Sequence, residues 1–177
     1  RFFQMDTLLQ ADQVDANFQK IYGAAPTVIT RAPGRIEFIG NHTDYNEGTV
    51  LGASIDRAVW VALRLVDQPT MTFYSDLSKK KVTVPLDKPV KQVGEDSWVN
   101  YPLGVWTSMP IFNLKQTRGF EFYAFSDLPP GAGLSSSAAV ELATCLAYLN
   151  VTKQTLDTQT MVKLCRHAEN NFAGVPC

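Results

Sequence analysis

A chain of 177 residues, 45% hydrophobic and 19% charged, suits one compact domain with a sizeable core, or a large part of a bigger one. Its formal net charge of −1 excludes a broad electrostatic pull towards nucleic acid or an anionic membrane, and no apolar run approaches the ~20 residues of a membrane span. Residues 1–15 do not read as a signal peptide, and Cys145, Cys165 and Cys177 form neither a disulfide framework nor a metal spacing, so a reducing, cytoplasmic compartment is the simplest reading.

Residues 11–22 are predicted to form an amphipathic helix, with Val14, Phe18 and Ile21 or Tyr22 on one side and Gly23 as its C-cap. A short strand over 27–32 runs into Pro33-Gly34. Residues 35–39 are expected to be extended, and 40–48 form a polar loop. Residues 54–66 read as a long strand with apolar residues on both faces, which suggests a central position in a sheet. Two further strands, 70–75 and 81–86, are joined by a hairpin-like turn. The run Lys79-Lys80-Lys81 reads as a solvated turn, because no aromatic residue is interleaved for stacking. A helix is expected over 98–108, an aromatic-rich strand over 119–125, a helix over 138–149 and a last helix over 158–171. Cys145 and Cys165 fall within apolar helical patterns and read as buried thiols. Hairpins mixed with crossovers argue for an α+β fold.

Between the aromatic strand and the 138–149 helix lies Leu128-Pro-Pro-Gly-Ala-Gly-Leu-Ser-Ser-Ser-Ala-Ala-Val140. A strand, a Gly-rich loop and a helix start make a phosphate cradle. Gly131 and Gly133 let the backbone approach a ligand, and Ser135, Ser136 and Ser137 supply hydroxyls where the first helical N–H groups lack partners. The helix dipole favours an anion there. The loop is not a Walker P-loop, since that motif needs Gly-Lys-Ser/Thr and the lysine is absent. A second polar cluster comprises Arg35, Glu37, Asn41, His42, Asp44 and Asn46. Its acceptors, amides and imidazole suit a ligand rich in hydroxyls, while Asp44 and Asn46 are equally suited to stabilising turns.

Residues 128–139 closely resemble the second motif of the GHMP kinases. Ala32-Pro-Gly-Arg-Ile-Glu-Phe-Ile-Gly-Asn-His-Thr-Asp-Tyr-Asn46 resembles the signature of that family's galactokinase branch, usually Ala-Pro-Gly-Arg-Val-Asn-Leu-Ile-Gly-Glu-His-Thr-Asp-Tyr-Asn. The stretches 98–105 and 165–177 resemble two supporting motifs of the same branch. The resemblance implies a GHMP-kinase N-terminal domain over 1–177, like the second domain of ribosomal protein S5. It has a mixed sheet with helices on one side, a sugar signature at 31–48 and an ATP phosphate loop at 128–139. It also implies ATP-dependent phosphorylation of the anomeric hydroxyl of galactose or a related hexose. A non-catalytic sensor of sugar and ATP is the alternative.

On this resemblance Gly131, Ala132, Gly133, Leu134, Ser135, Ser136 and Ser137 wrap the ATP phosphates, and Ser75 lies on the adenine side. Ser137 and Glu169 match Mg²⁺ ligands, whose hydroxyl and carboxylate suit a hard cation. Arg35 would neutralise charge on the transferring phosphoryl, and Asn41, His42, Thr43 and Asp44 would meet the sugar. Trp98 suits either the nucleotide or the core, and His167 reads as structural or exposed. Asn41 stands where the signature usually has Glu, and Glu37 where it usually has Asn, so the choice of hexose stays open. The catalytic Asp and a C-terminal domain, the expected partner of these residues, are expected beyond Cys177. Residues upstream of Arg1 are expected too. Neither a nucleic acid nor a membrane is an expected partner.

Overall fold

The computed structural model describes residues 2–39, 49–116, 118–129 and 131–175. The first helix, α1 (Phe2–Tyr22), starts well before the expected residue 11, because its amphipathic stripe marks only the half that packs. Val14 and Phe18, one turn apart, are fully buried, and Ile21 and Tyr22 pack beside them.

Two long strands follow, β1 (Val28–Ile39) and β2 (Leu51–Leu65), and then the hairpin of β3 (Thr70–Ser75) and β4 (Lys81–Pro85). A 3₁₀ turn over Gly94–Val99 leads into α2 (Asn100–Ser108), so the expected helix over 98–108 begins two residues late. The aromatic strand is β5 (Phe120–Ser126). Helix α3 (Ser136–Thr152) follows the Gly-rich loop, and α4 (Thr158–His167) is capped by Asp157, which accepts from the Thr160 amide at 3.0 Å. The expected final helix does not continue as α to 171. It widens into a π-helical turn, Ala168–Ala173, in which the Glu169 carbonyl accepts from the Gly174 and Val175 amides.

The five strands form one mixed sheet in the order β1-β2-β5-β3-β4. Every pairing is antiparallel except β3 with β5. The α+β expectation holds, and β2 is interior with both faces covered. Val59, Val61 and Leu63 face α2, α3 and α4; Ala58, Trp60 and Ala62 face the other way. Neighbouring β5 alternates likewise, with Phe120 and Phe122 in the main core and Tyr123 under α1. The helix side is tied together by rings: Phe73 lies 5.4 Å from both Phe120 and Phe122, and Phe120 lies 5.1 Å from Tyr148. Helices on one side of the sheet therefore describes α2 to α4 only. An amphipathic stripe states that α1 must bury a face, not which face of the sheet receives it.

Pro33 sits on the edge strand β1, where a missing N–H costs little. The β1–β2 register shifts between Pro33 and Arg35. Such an irregularity re-aims side chains. Here Gly34 is buried against Leu128 and Ile55, while the next residue, Arg35, is exposed and borders the groove against α3. The basic run is absorbed locally. Lys79 pairs with Asp76 at 2.6 Å and Lys80 with Asp96 at 2.9 Å; the Lys81 ammonium donates to the Ile21 carbonyl at 2.8 Å, over the Tyr22 ring. His167 is structural: its Nδ1 is 3.1 Å from the Ser108 hydroxyl and its ring meets the Phe112 edge. Cys145 and Cys165 are buried free thiols.

Candidate functional site

The first turn of α3 is where the sequence expectations converge, and its geometry differs from the expected serine cap. Ser135, the N-cap, adopts a left-handed conformation (φ 57°, ψ 43°), and its side chain makes no capping hydrogen bond. The helix start is thus not closed by its own hydroxyl, and its dipole is not answered by an acidic residue in the first turn. Gly131 and Gly133 both have positive φ, 70° and 68°, and a Cβ on either would meet nothing among the described residues. What the fold itself demands of these two glycines is the left-handed backbone that winds the loop onto the helix.

On one side of this turn is a cavity of about 220 Å³. Ser75, Trp98, Tyr101, Gly131, Ser136 and Ser137 line it, over an apolar floor that includes Val59 and Leu128. Four distant pieces of chain build it. Ser75 ends β3 and is buried, with its hydroxyl accepting from the Leu77 amide at 3.2 Å. Trp98 and Tyr101 are held by Asn100, whose buried amide both accepts from the Gln92 N–H (2.8 Å) and donates to the Gln92 carbonyl (2.9 Å). Ala132 lies in the loop between the two glycines, exposed.

On the other side is a groove of about 330 Å³, where Arg35, Gly52 and Ser54 face Ser135, Ala138 and Ala139. Gly34 makes the junction between the two sides possible. A Cβ there would lie 2.5 Å from a methyl of Leu128 and 3.0 Å from the Leu134 carbonyl, and the Arg35 amide donates to that same carbonyl at 3.0 Å. The arginine strand and the glycine loop are therefore in direct backbone contact.

Glu169 is buried, not a solvated helix residue. It lies in the π-helical turn, a rare geometry that recurs at functional sites. Glu141, four residues after Ser137 and so on the same helix face, is 1% exposed. Burial first, and then the charge of Glu169, pushes its carboxyl up to about 9, so it is neutral near pH 7. Burial, followed by the charges of Glu169 and Glu141, also raises the Tyr101 hydroxyl. Tyr101, Glu141 and Glu169 thus surround the Ser137 side of α3. A hydroxyl and a buried carboxylate beside a phosphate-sized opening suit a hard divalent cation that draws its other ligands from phosphate and water.

Of the sequence-derived site residues, the structure gathers Ser75, Gly131, Ser136 and Ser137 around one cavity. Arg35 and Ser135 share the groove, Leu134 joins the two, and Glu169 lies against Tyr101 and Glu141. Asn41, His42, Thr43 and Asp44 lie outside the described residues. Sequence reasoning missed Tyr101 and Glu141. Tyr101 carried a signal as the neighbour of Asn100 in a matched motif. Glu141 carried one as the acidic residue in an otherwise apolar helix, one turn from Ser137.

Known proteins resemble this chain in sequence and fold. The galactokinase galactose-binding signature matches residues 16–65, and the GHMP kinases N-terminal domain matches residues 100–177. The chain carries the N-terminal domain of the GHMP kinases. Galactokinases are among its relatives. Those of Chloroflexus aggregans and Roseiflexus sp. are each 36% identical to it over 96% of its length, as is that of Fusobacterium nucleatum over 81%. The chain spans about 43% of the first two relatives' length, so it is compared with less than half of each. The fold of Lactococcus lactis galactokinase, solved with galactose, matches with a TM-score of 0.85 at 29% identity, over 94% of this chain and 44% of that one. A mevalonate kinase shares the fold alone, with a TM-score of 0.74 at 18% identity over 85% of this chain and 48% of its own. In this domain the glycine loop lies between the start of α3 and the edge-strand Arg35. No described helix is long and apolar enough to cross a membrane.

Proposed function

We propose that this domain binds ATP in the Ser75–Trp98–Tyr101 cavity and directs its γ-phosphoryl across the start of α3 to the anomeric hydroxyl of galactose or a related hexose beside Arg35. The observation that carries the reading is the backbone junction at Gly34. It brings the glycine loop and the arginine strand together, with a cavity on one side and a groove on the other. Such a transfer is mostly positioning and charge stabilisation. Trp98 and Tyr101 would flank the adenine ring and exclude water from it. Amides of the loop over 131–134 and of the first turn of α3 would donate to phosphate oxygens. Arg35 would answer the charge that builds on the transferring phosphoryl. Ser137 and Glu169 would hold Mg²⁺, which when bound neutralises phosphate charge. Asn41, His42, Thr43 and Asp44 would meet the sugar. No residue of 1–177 is assigned as the base, so these residues alone should turn over no sugar.

The test is ADP release by the full gene product across a panel of hexoses. Sugar-dependent turnover, lowered by Ser137→Ala with a weaker Mg²⁺ dependence, supports the reading. Binding of ATP and sugar without turnover replaces the enzyme with a sensor, and absence of both overturns the site. Asn41→Glu should shift relative kcat/KM towards galactose; an unchanged rank order removes Asn41 from the sugar site.

A further inference from the structure

The base of the β1–β2 hairpin holds a charged pair. Arg35 and Glu37 share a strand face, and the guanidinium Nη2 lies 3.6 Å from the Glu37 Oε2. The two side chains differ sharply in freedom: that of Arg35 is 55% exposed and that of Glu37 only 17%. The register pairs Glu37 with Gly52. A Cβ on Gly52 would stand 3.3 Å from the Arg35 Cγ and 3.2 Å from its Cδ, so the arginine stem lies over the bare Cα of Gly52, leaning towards Glu37. Glu37 Oε1 is buried and has no hydrogen-bond partner among the described residues. Leaving a buried carboxylate oxygen without a donor is costly, and packing alone would not select it. At 3.6 Å and partly in solvent, the pair also contributes little to stability. Its plain effect is directional, since it restricts a long, mobile side chain to one course along the groove.

We propose that Glu37 is the positioning residue for Arg35, drawing the guanidinium over Gly52 and holding it beside Ser135 where the phosphoryl group would pass. The inference rests on the role assigned to Arg35 under Proposed function. A positioned guanidinium meets developing charge without reorganising first, so loss of the anchor should lower kcat while leaving ATP binding alone.

The experiment uses the full gene product and two readouts. In steady-state ADP release, Glu37→Gln should lower kcat about tenfold, with KM for ATP changed by less than about twofold. Glu37→Asp, which keeps the charge, should recover most of that loss. In the Arg35→Ala background, Glu37→Gln should have no further effect, because a residue acting through another is fully coupled to it. The second readout is the ¹⁵N NMR signal of the Arg35 guanidinium, which needs no turnover. Separate Nη signals in the wild type that average together in Glu37→Gln support the anchor. A kcat within about twofold of wild type in Glu37→Gln overturns the proposal, as does an equal fold-loss with and without Arg35. If the wild type shows no sugar-dependent ADP release, the kinase reading fails, and the NMR signal still decides whether Glu37 holds Arg35. Identical guanidinium signals in the two proteins overturn the anchor.

Discussion

The cavity on the Gly131 side of α3 is assembled from β2, β3, β5, α2 and α3, whereas the groove on the Arg35 side comes from β1, β2 and α3. The first has an apolar floor and buried polar residues at its rim: Ser75 is 8% exposed, and Asn100 behind it 7%. The second is a hairpin base whose main polar side chain reaches solvent. A cavity with an apolar floor suits a flat aromatic ring, and a groove bordered by an arginine and two serines suits a hydroxylated ligand whose remaining contacts come from elsewhere. The two halves also fail differently. Changes in the cavity should act through packing and so on binding. Changes in the groove should act on one charge and so on rate.

Arg35→Ala is the strongest test of that division. Loss of kcat by about a hundredfold or more is expected, with KM for ATP within about twofold. A matching rise in KM for ATP, seen in steady-state kinetics, would show that the arginine serves the nucleotide and that the two sides are one site. Gly34→Val attacks the junction instead. Its Cβ alone would crowd Leu128 and the Leu134 carbonyl, so it should destabilise the fold by about 1–3 kcal/mol and impair both ATP binding and kcat. Denaturant unfolding and kinetics on the same protein check it, and an unchanged midpoint would mean that the loop and strand part at little cost.

Trp98→Ala should raise KM for ATP about tenfold and leave kcat nearly unaltered, since it touches only the cavity side. A fall in kcat with no change in KM would move Trp98 from the nucleotide to the frame. The last effect expected is on stability and depends on pH. Glu141 has a folded-state value of about 9, above its ordinary 4.5, so between those values the native state binds the proton that the unfolded state has released. Stability from this residue therefore falls as pH rises from about 4.5 towards 9, by roughly 3 kcal/mol at pH 7 on the size of that shift. Glu141→Gln should accordingly raise the Tm more at pH 8 than at pH 5, measured by calorimetry. An equal change at both pH values would place Glu141 in a wetter setting than its burial states.

Legibility differed between the two sides for the same reason. The groove's Arg35, Glu37 and Gly34 lie within a few residues of one another, so a contiguous motif displays them. The cavity's Ser75, Trp98, Tyr101 and Ser137 are scattered over more than sixty residues of chain. Nothing local links a strand-end serine to a tryptophan in a 3₁₀ turn; only the packing of β3, α2 and α3 does. Serine is a favoured cap residue in helices in general, yet Ser135 does not cap α3, because the loop holds its backbone in a left-handed conformation. The burial of Glu169 follows helical spacing, four residues after buried Cys165, but the π-helical turn in which it lies is announced by no residue spacing.

What the residues determined unaided are the properties that depend on near neighbours. The continuous apolar run from Ala58 to Leu63 makes β2 a strand buried on both faces. The Val14–Phe18 spacing gives α1 one apolar side, and the Gly-Ala-Gly loop with its serines marks an anion-ready helix start. The tertiary structure alone decided which face of the sheet α1 covers, that Gly34 packs against Leu128 and the Leu134 carbonyl, and that Glu141 stays protonated beside Glu169. Each of these depends on surfaces brought together from far apart in the chain. Burial, register and electrostatic coupling belong to the assembled solid and to no single segment of it.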